Sequence, residues 1–316
     1  MLSAIVPATN DPPTLARCLE AIHLASDPPD ETIVVDRPAR IGPAAARNLG
    51  SVQAVGEVLV FVDSDVAVHG DAFTRIRRSF AHDRELTAIF GSYDDAPAAE
   101  SVVSTFRNLL HHHVHQRGAG RATTFWAGLG AVRREPFLTA GGFDEQLFPK
   151  PSIEDIELGM RLVVGGARIE LDPLLQGTHL KRWTLLEMVR TDLFQRGAPW
   201  VALLLRHRST SNALNLGWRE RASATSTLAL VLALGTRRRR TATGAAAVFV
   251  SLNAPFYALL LRRRGTRTAS AGVLLHLLHQ LVALASIPLG LRLHLRDRAR
   301  IRTNTDKRSR NLADRR

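Results

Sequence analysis

The chain has 316 residues, 42 Lys+Arg against 29 Asp+Glu, and a single cysteine, Cys18. That length allows one large domain with an appendage or two domains, and one cysteine excludes disulfides and thiolate metal sites within a chain. The charge is divided unevenly: residues 1–200 carry 20 basic and 25 acidic side chains, residues 201–316 carry 22 and 4. The first part is therefore read as a domain of ordinary charge and the second as a basic appendage.

Leu2 to Pro7 predicts a first strand, followed by a turn at Thr9-Asn10-Asp11-Pro12 and a helix with apolar positions Leu15, Cys18, Leu19 and Ile22. The run Ala4-Ile5-Val6 is too short for a secretion signal, and the first domain is expected in the cytoplasm. Cys18, on the apolar side of that helix, reads as core. Thr32 to Asp36 is a second short buried strand ending on a carboxylate, and Gly42 to Gly50 an Ala-rich helix closed by Gly50. Val58 to Val62 is a third buried strand, ending in Asp63-Ser64-Asp65. Strands alternating with helices at this spacing predict a parallel α/β sheet.

In an extended chain residues i and i+2 share a side, so Asp63 and Asp65 are expected to project together at the strand's carboxyl end, where open α/β sheets bind ligands. Two adjacent carboxylates repel unless a cation shares them, which points to a hard divalent ion and a nucleotide diphosphate. Turn chemistry is the other reading of an Asp that follows a strand. Further on, Phe125 to Arg134 predicts a strand containing Gly128 and Gly130, Ile156 to Val164 a helix, and Arg168 to Asp172 a strand. Ser152-Ile153-Glu154-Asp155 also fits a capping box with Ser152 as N-cap. Arg133-Arg134 reads as a solvated face. His111 and His115 are spaced to share a metal ion at i and i+4, though a solvated or acceptor-facing helix is the simpler reading.

Thr241 to Leu261 and Thr268 to Leu291 have no Asp, Glu, Lys or Arg, and each is long enough to cross a bilayer. Residues 222–236 are a shorter uncharged stretch suited to the membrane interface. Arg clusters flank all three. The expected organisation is a nucleotide-binding domain over 1–210, a membrane-associated helical region over 211–302 and a disordered basic tail over 303–316. Nucleic acid is the competing partner for the basic blocks, but no aromatic-interleaved basic motif supports it, and none is expected to bind. An Arg-rich, GC-driven composition is a third account. His276, His279 and Gln280 share one helical face, read either as helix-to-helix hydrogen bonding or as a lipid head-group slot.

Asp36, Asp63 with Asp65, Glu154-Asp155 and His179 recur in that order, together with Arg-Asn-Leu-Gly at 47–50, Gly-Gly-Phe-Asp-Glu at 141–145 and Glu-Asp-Ile-Glu-Leu-Gly-Met-Arg-Leu at 154–162. Over about residues 1–200 this pattern resembles the family 2 glycosyltransferases of the membrane-associated bacterial type, with the Rossmann-like GT-A fold of nucleotide-diphospho-sugar transferases. The resemblance implies a nucleotide-sugar donor, UDP- or GDP-linked, with Thr9 and Asp36 at the nucleoside and Arg47 near the same end. It implies Mn²⁺ or Mg²⁺ on Asp63, Asp65 and His179, the donor sugar against Trp126 and Gly128, and Asp155 as the general base of an inverting transfer, with Glu154 as the alternative base. Arg37-Pro38 departs from the usual loop after the second-strand Asp, which loosens the base assignment. Gln195 to Trp200 holds the residues of the processive Gln-X-X-Arg-Trp motif at the wrong spacing. A non-processive enzyme is therefore implied, with Arg196 and Trp200 on the side of a lipid-linked or membrane-delivered acceptor. The implied location is the cell membrane, with the catalytic domain on the cytoplasmic side. A catalytically inactive GT-A-like membrane scaffold and a GT-A-like nucleotidyltransferase are the competing classes; the latter normally has a Gly-rich basic loop that Thr9-Asn10-Asp11-Pro12 lacks.

Overall fold

The first three strands, β1 (Leu2–Pro7), β2 (Glu31–Val35) and β3 (Val58–Val62), pair parallel in the order β2-β1-β3, and the helices α1 (Leu15–His23) and α2 (Pro43–Gln53) form the crossovers. The apolar runs of β1 and β3 follow from burial on both faces. Leu2, Ala4, Val6, Val58, Val60 and Val62 pack with Cys18 and Ile22 of α1 on one side, while Ile5, Leu59 and Phe61 pack with Ala44 and Ala46 of α2 on the other. These details come from a computed structural model that describes residues 1–207 and 217–313, with side chains to residue 298.

Beyond β3 the sheet is mixed, which corrects the expectation of a parallel sheet. The remaining strands are β4 (Val66–Val68), β5 (Leu86–Tyr93), β6 (Gly120–Ala122), β7 (Leu129–Arg133) and β8 (Arg168–His179). The full order is β2-β1-β3-β7-β5-β8-β4, with β6 on β8. β7 runs antiparallel to both β3 and β5. Leu129 pairs with Val62, and the Gly128 carbonyl before it accepts from the Asp63 N–H at 3.0 Å. The chain therefore enters β7 at the carboxyl end of β3 and must run back along it.

Other local expectations shift for packing reasons. Gly50 lies inside α2 rather than ending it, because α2 presses on the sheet there: a Cβ would sit 2.5 Å from Ile5 Cγ2. The strand expected from Phe125 begins only at Leu129, since the Trp126 indole folds back over Gly128, where a Cβ would lie 2.3 Å from the ring. Arg133 is not solvated; its guanidinium donates to Leu86 O, Phe80 O and Asp83 O and covers the Phe80 ring. α3 (Ala72–His82) packs on the α1 side, and α5 (Arg134–Thr139) and α6 (Glu154–Val164) on the α2 side.

Gly159 of α6 allows the closest of these approaches, because a Cβ there would lie 2.2 Å from the backbone nitrogen of Phe125. Backbone cannot rotate aside as a side chain can. Gly159→Ala is therefore expected to lower stability by about 1–3 kcal/mol, as overpacking does. Chemical denaturation checks this, and an unchanged midpoint would show that α6 has room to move.

The carboxyl-terminal third is helical and docks on the domain. α4 (Val102–Arg117), α7 (Leu185–Arg190), a π-helical turn (Thr191–Gly197) and α8 (Ala198–His207) form the docking face for α10 (Arg239–Ala313), and α9 (Trp218–Gly235) packs on α10. Gly265, at φ 77° and ψ 180°, breaks α10 into two legs. The first leg buries Phe249, Phe256, Tyr257 and Leu260 against Phe106 and Leu109 of α4, Trp183 and Met188. The second is held by His279 Nδ1 on Asp192 Oδ2 at 2.8 Å and by Arg206 on Asp297 at 2.9 Å. Asp192 also receives Arg107 at 2.6 Å, so the π-helical turn is tied to both α4 and α10.

The stretches 241–261 and 268–291 fall one in each leg, and 222–236 falls almost wholly in α9. Arg239–Arg298 is a helical segment long and apolar enough to cross a membrane by length and composition. Its outer side exposes Val248, Val250, Leu274, Ile287 and Leu291. His276 meets the Tyr257 hydroxyl of the first leg at 3.1 Å and His279 meets Asp192 at 2.8 Å, so these two make the helix-to-helix bonds, while Gln280 contacts His276 within its own helix at 3.5 Å. The helix continues to Ala313 through most of the tail expected to be disordered, and the expected 210/211 boundary lies outside the described residues.

Candidate active site

The carboxyl ends of β1, β2 and β3 form one edge. Ala8 N–H donates to Val35 O at 2.9 Å, which sets Thr9 beside the end of β2 and leaves Asp36 exposed at the same edge. The two candidate nucleoside contacts are thus brought together.

Arg47 lies elsewhere than expected. On α2 it shares the buried face with Gly50 and Ser51, which aims it at the end of β3 rather than at the nucleoside end. Its guanidinium bridges Asp63 Oδ1 at 2.6 Å and Glu154 Oε1 at 2.9 Å, joining residues 107 positions apart. Burial works against its charge, but the carboxylates of Asp63, Glu154 and Asp155 outweigh it and hold it protonated. Asn48 next to it clamps the backbone of Phe143 through two bonds of 2.9 Å, so the Arg-Asn-Leu-Gly and Gly-Gly-Phe-Asp-Glu segments meet.

The capping box is not formed. α6 starts at Glu154 with Ile153 in the N-cap position and no side-chain cap. Two tertiary contacts displace it: Glu154 is drawn to Arg47 and accepts from Ser152 N–H at 2.9 Å, and the Ser152 hydroxyl donates to Gln195 O on the π-helical turn at 2.8 Å. Asp155, partly exposed, accepts from Ala127 N–H at 3.1 Å and from Ile156 N–H at 2.8 Å. Burial, and next the charge of Glu154, raise its carboxyl to about 6. Of the two candidate bases, Glu154 is buried and held by Arg47, whereas Asp155 is the one poised to exchange a proton near neutrality.

Asp65 Oδ2 lies 3.7 Å from His179 Nε2, because Val66 of β4 pairs with His179 at the end of β8. Burial works to raise Asp65, but His179 and Lys181 outweigh it and hold the carboxyl below its usual value; burial pushes Asp63 up against the pull of Arg47. Among the described residues no group of three or more His, Cys, Asp or Glu is disposed to hold an ion. Asp65 and His179 are nonetheless closer than twice a metal–ligand bond of about 2.1 Å, and Asp63 is the next acidic residue along the chain. A protein donor set this sparse fits an ion that is bound mainly through substrate phosphates.

Trp126 packs its indole edgewise on Tyr93 at 4.9 Å and tilted on His111 at 4.5 Å. Tyr93, at the end of β5, stacks on His179 at 4.2 Å and 15°. His111 and His115 are stacked on each other at 3.8 Å, and His115 is buried with Nδ1 on Gly91 O, so this helix face is packed rather than solvated. Nothing in the local pattern of β5 marked Tyr93. Arg196 is exposed on the π-helical turn, while Trp200 packs with Phe148, Ile153, Met160 and Leu203. Cys18 is core, its thiol pushed up to about 12 by burial and then by Asp63 and Asp65.

This mixed sheet with its carboxylates on one edge is the GT-A fold. No family model matches the sequence. The chain is 28% identical over 181 residues to the pre-mycofactocin glycosyltransferases of two strains of Mycobacterium tuberculosis, covering 55% of this chain and 37% of each relative. The match thus spans well under half the length of those curated relatives. Among solved structures, the mannosyltransferase PcManGT from Pyrobaculum calidifontis in complex with GDP-Man and Mn²⁺ superposes with a TM-score of 0.54 at 18% identity, over 90% of this chain and 86% of that one.

Proposed function

We propose that the chain is an inverting, non-processive glycosyltransferase that moves one sugar from a UDP- or GDP-sugar to a lipid-linked or membrane-delivered acceptor at the cytoplasmic face of a membrane. The observation that carries this reading is the convergence of Arg47, Asp63, Asp65, Glu154, Asp155 and His179 on one sheet edge beside the glycine at 128. The curated relatives are glycosyltransferases by name, and the solved neighbour holds GDP-Man and Mn²⁺. The apolar, Arg-flanked legs of α10 support a membrane setting.

In this reading Thr9 and Asp36 receive the nucleoside, and Trp126 with Gly128 borders the donor sugar. Mn²⁺ or Mg²⁺ on Asp63, Asp65 and His179 would supply charge neutralisation for the departing diphosphate. Asp155 takes the acceptor hydroxyl proton as that oxygen bonds to the anomeric carbon and the bond to the diphosphate oxygen breaks. Attack from the opposite face inverts the centre. Glu154 positions Arg47, which in turn holds Asp63.

Thermal-shift titration of UDP and GDP with Mn²⁺ tests the reading and names the base. Stabilisation that needs both nucleotide and metal is expected, and its absence for every nucleotide would favour a scaffold. Asp65→Asn is expected to weaken apparent Mn²⁺ affinity at least about tenfold, since even outer ligands of metal sites are worth that much. Unchanged metal dependence would sink the metal assignment.

A further inference from the structure

The two legs of α10 fold back on each other at Gly265, with Tyr257 on His276 and Leu260 on Gly272, and both lie against the α/β domain. On the second leg a Cβ at Gly272 would lie 4.0 Å from Phe106, and His279 meets Asp192 at 2.8 Å. Further along, Ser286 Oγ would lie 2.6 Å from a Cβ on Gly197, a Cβ at Gly290 would lie 2.5 Å from Val201, and Asp297 meets Arg206 at 2.9 Å. The contacts at 272, 279, 286, 290 and 297 leave no gap longer than seven residues, about 10 Å of helix. α8, which receives the last two, is backed by the domain in turn, because its Leu203 and Trp200 pack with Phe148, Ile153 and Met160. On the first leg Phe256 meets Phe106 at 5.7 Å and His113 at 5.5 Å, Arg264 meets Glu100 at 3.3 Å, and Arg263 meets Asp95. Only residues 239–255 lie ahead of these contacts, about 25 Å of helix. The hydrocarbon core of a bilayer is about 30 Å thick, and neither leg keeps a free stretch that long. A crossing leg would draw the charged surface of the domain into hydrocarbon.

The outward faces select the partner. Ala247, Ser251, Ala254, Ala258 and Leu261 are exposed at steps of three and four, one stripe along the first leg. Leu274, Ala285, Pro288 and Leu295 form the corresponding stripe on the second. Neither stripe carries a charge, and the inner faces are apolar as well, a pattern that does not suit water on the outer side. Charge is gathered at the ends instead: Arg237 to Arg240, Arg292 and Arg296 are exposed at one end of the pair, and Arg262, Arg263 and Arg267 at the other. Asp297, the only acidic residue from 239 to 298, is taken up by Arg206. A second copy of the chain docked on this face by two-fold symmetry would set arginine rims against arginine rims. An anionic lipid surface satisfies both features, because a helix lying in its plane buries one apolar face while arginines at its ends reach the head groups.

We propose that the two legs of α10 lie flat in the surface of an anionic bilayer, with both of their ends on the side that holds the α/β domain, and that neither leg crosses. This platform rests on the membrane setting proposed above and not on the transfer chemistry.

Single cysteines in the full chain test this, introduced by Thr241→Cys, Ala258→Cys or Thr266→Cys at exposed positions, with the buried Cys18 of the parent as the unlabelled control. In sealed inside-out membrane vesicles from an expressing bacterium, Thr241→Cys and Thr266→Cys are both expected to react with a membrane-impermeant maleimide, and opening the vesicles adds no label. Ala258→Cys is expected to react only after detergent. If either end reacts only in opened vesicles, a leg crosses, and the proposal falls while the membrane setting stands. Ala258→Cys that reacts without detergent, or that a short bismaleimide links to a second copy, also overturns it, because the face is then open to water or covered by protein. Recovery of the chain outside the membrane fraction removes both the proposal and the setting. The purified chain is further expected to bind phosphatidylglycerol vesicles about tenfold or more tighter than phosphatidylcholine vesicles, and Arg262→Gln combined with Arg267→Gln to weaken the former about tenfold or more. Equal binding to both lipids overturns the anionic surface. Vesicle binding with no nucleotide binding leaves the platform standing and removes the glycosyltransferase reading.

Discussion

Asp155→Asn is expected to lower kcat by about 10²–10⁴-fold, the usual contribution of a positioned general base, with nucleotide and Mn²⁺ binding near wild type. The amide keeps the size of the carboxyl and can still accept from Ala127 N–H, so the start of α6 should stay in place. What it cannot do is take a proton. The pH dependence sharpens the test. A carboxyl raised to about 6 is protonated and inactive below that value, so the wild-type rate should climb through about pH 6 and level off above it. That limb should vanish from the residual rate of the variant. Stability should move the other way: a folded-state value above the unfolded one means that the folded state binds the extra proton, so ionising Asp155 costs stability as pH rises from the ordinary carboxylate range through about 6. At pH 7 the variant should therefore be at least as stable as the wild type. Equal losses of donor affinity and thermal stability would make Asp155 a structural carboxylate.

The order of the polar landmarks was legible along the chain because each sits at the end of a strand or the start of a helix, where side-chain direction follows from local geometry. Asp63 and Asp65 follow a five-residue buried strand, and His179 ends another. Partnerships across the fold were not legible. Arg47 was assigned to the nucleoside end, since nothing near it shows that its helix face points at Glu154. The capping box at Ser152 is locally sound, yet Arg47 and Gln195 pull its members apart. The reversed direction of β7 shows only in its pairing with β3 and β5, and apolar patterning does not carry strand direction. The i, i+4 spacing of His111 and His115 put them on one face correctly, but what covers that face comes from β5 and from Trp126.

The largest effect on stability is expected at Arg47. It is 4% exposed and lies between Asp63 and Glu154, of which Glu154 is equally buried. Arg47→Met keeps much of the volume and removes the charge, leaving carboxylates facing each other with no cation. Removing one partner of a buried ion pair costs about 3–5 kcal/mol, a large part of the roughly 5–15 kcal/mol that holds an ordinary domain together. The loss should depend on pH in a set direction. Without the guanidinium the folded-state carboxyls titrate higher than in the wild type, so the variant binds more protons folded than unfolded and loses stability as pH rises from the ordinary carboxylate range. The deficit should be small near pH 4 and largest near neutrality. Arg47→Lys should recover only part of it, because one ammonium cannot reproduce a fork that reaches two carboxylates at 2.6 and 2.9 Å. Mn²⁺ provides the discriminating measurement. If Asp63 faces the metal locus, the ion should stabilise Arg47→Met more than it stabilises the wild type, since it supplies the positive charge that the substitution removed. Urea unfolding of both proteins with Mn²⁺ and with chelator compares the two increments. A variant as stable as the wild type at pH 7 would mean that the guanidinium only fills space. A destabilised variant that ignores Mn²⁺ would separate the Arg47 bridge from the metal-binding edge.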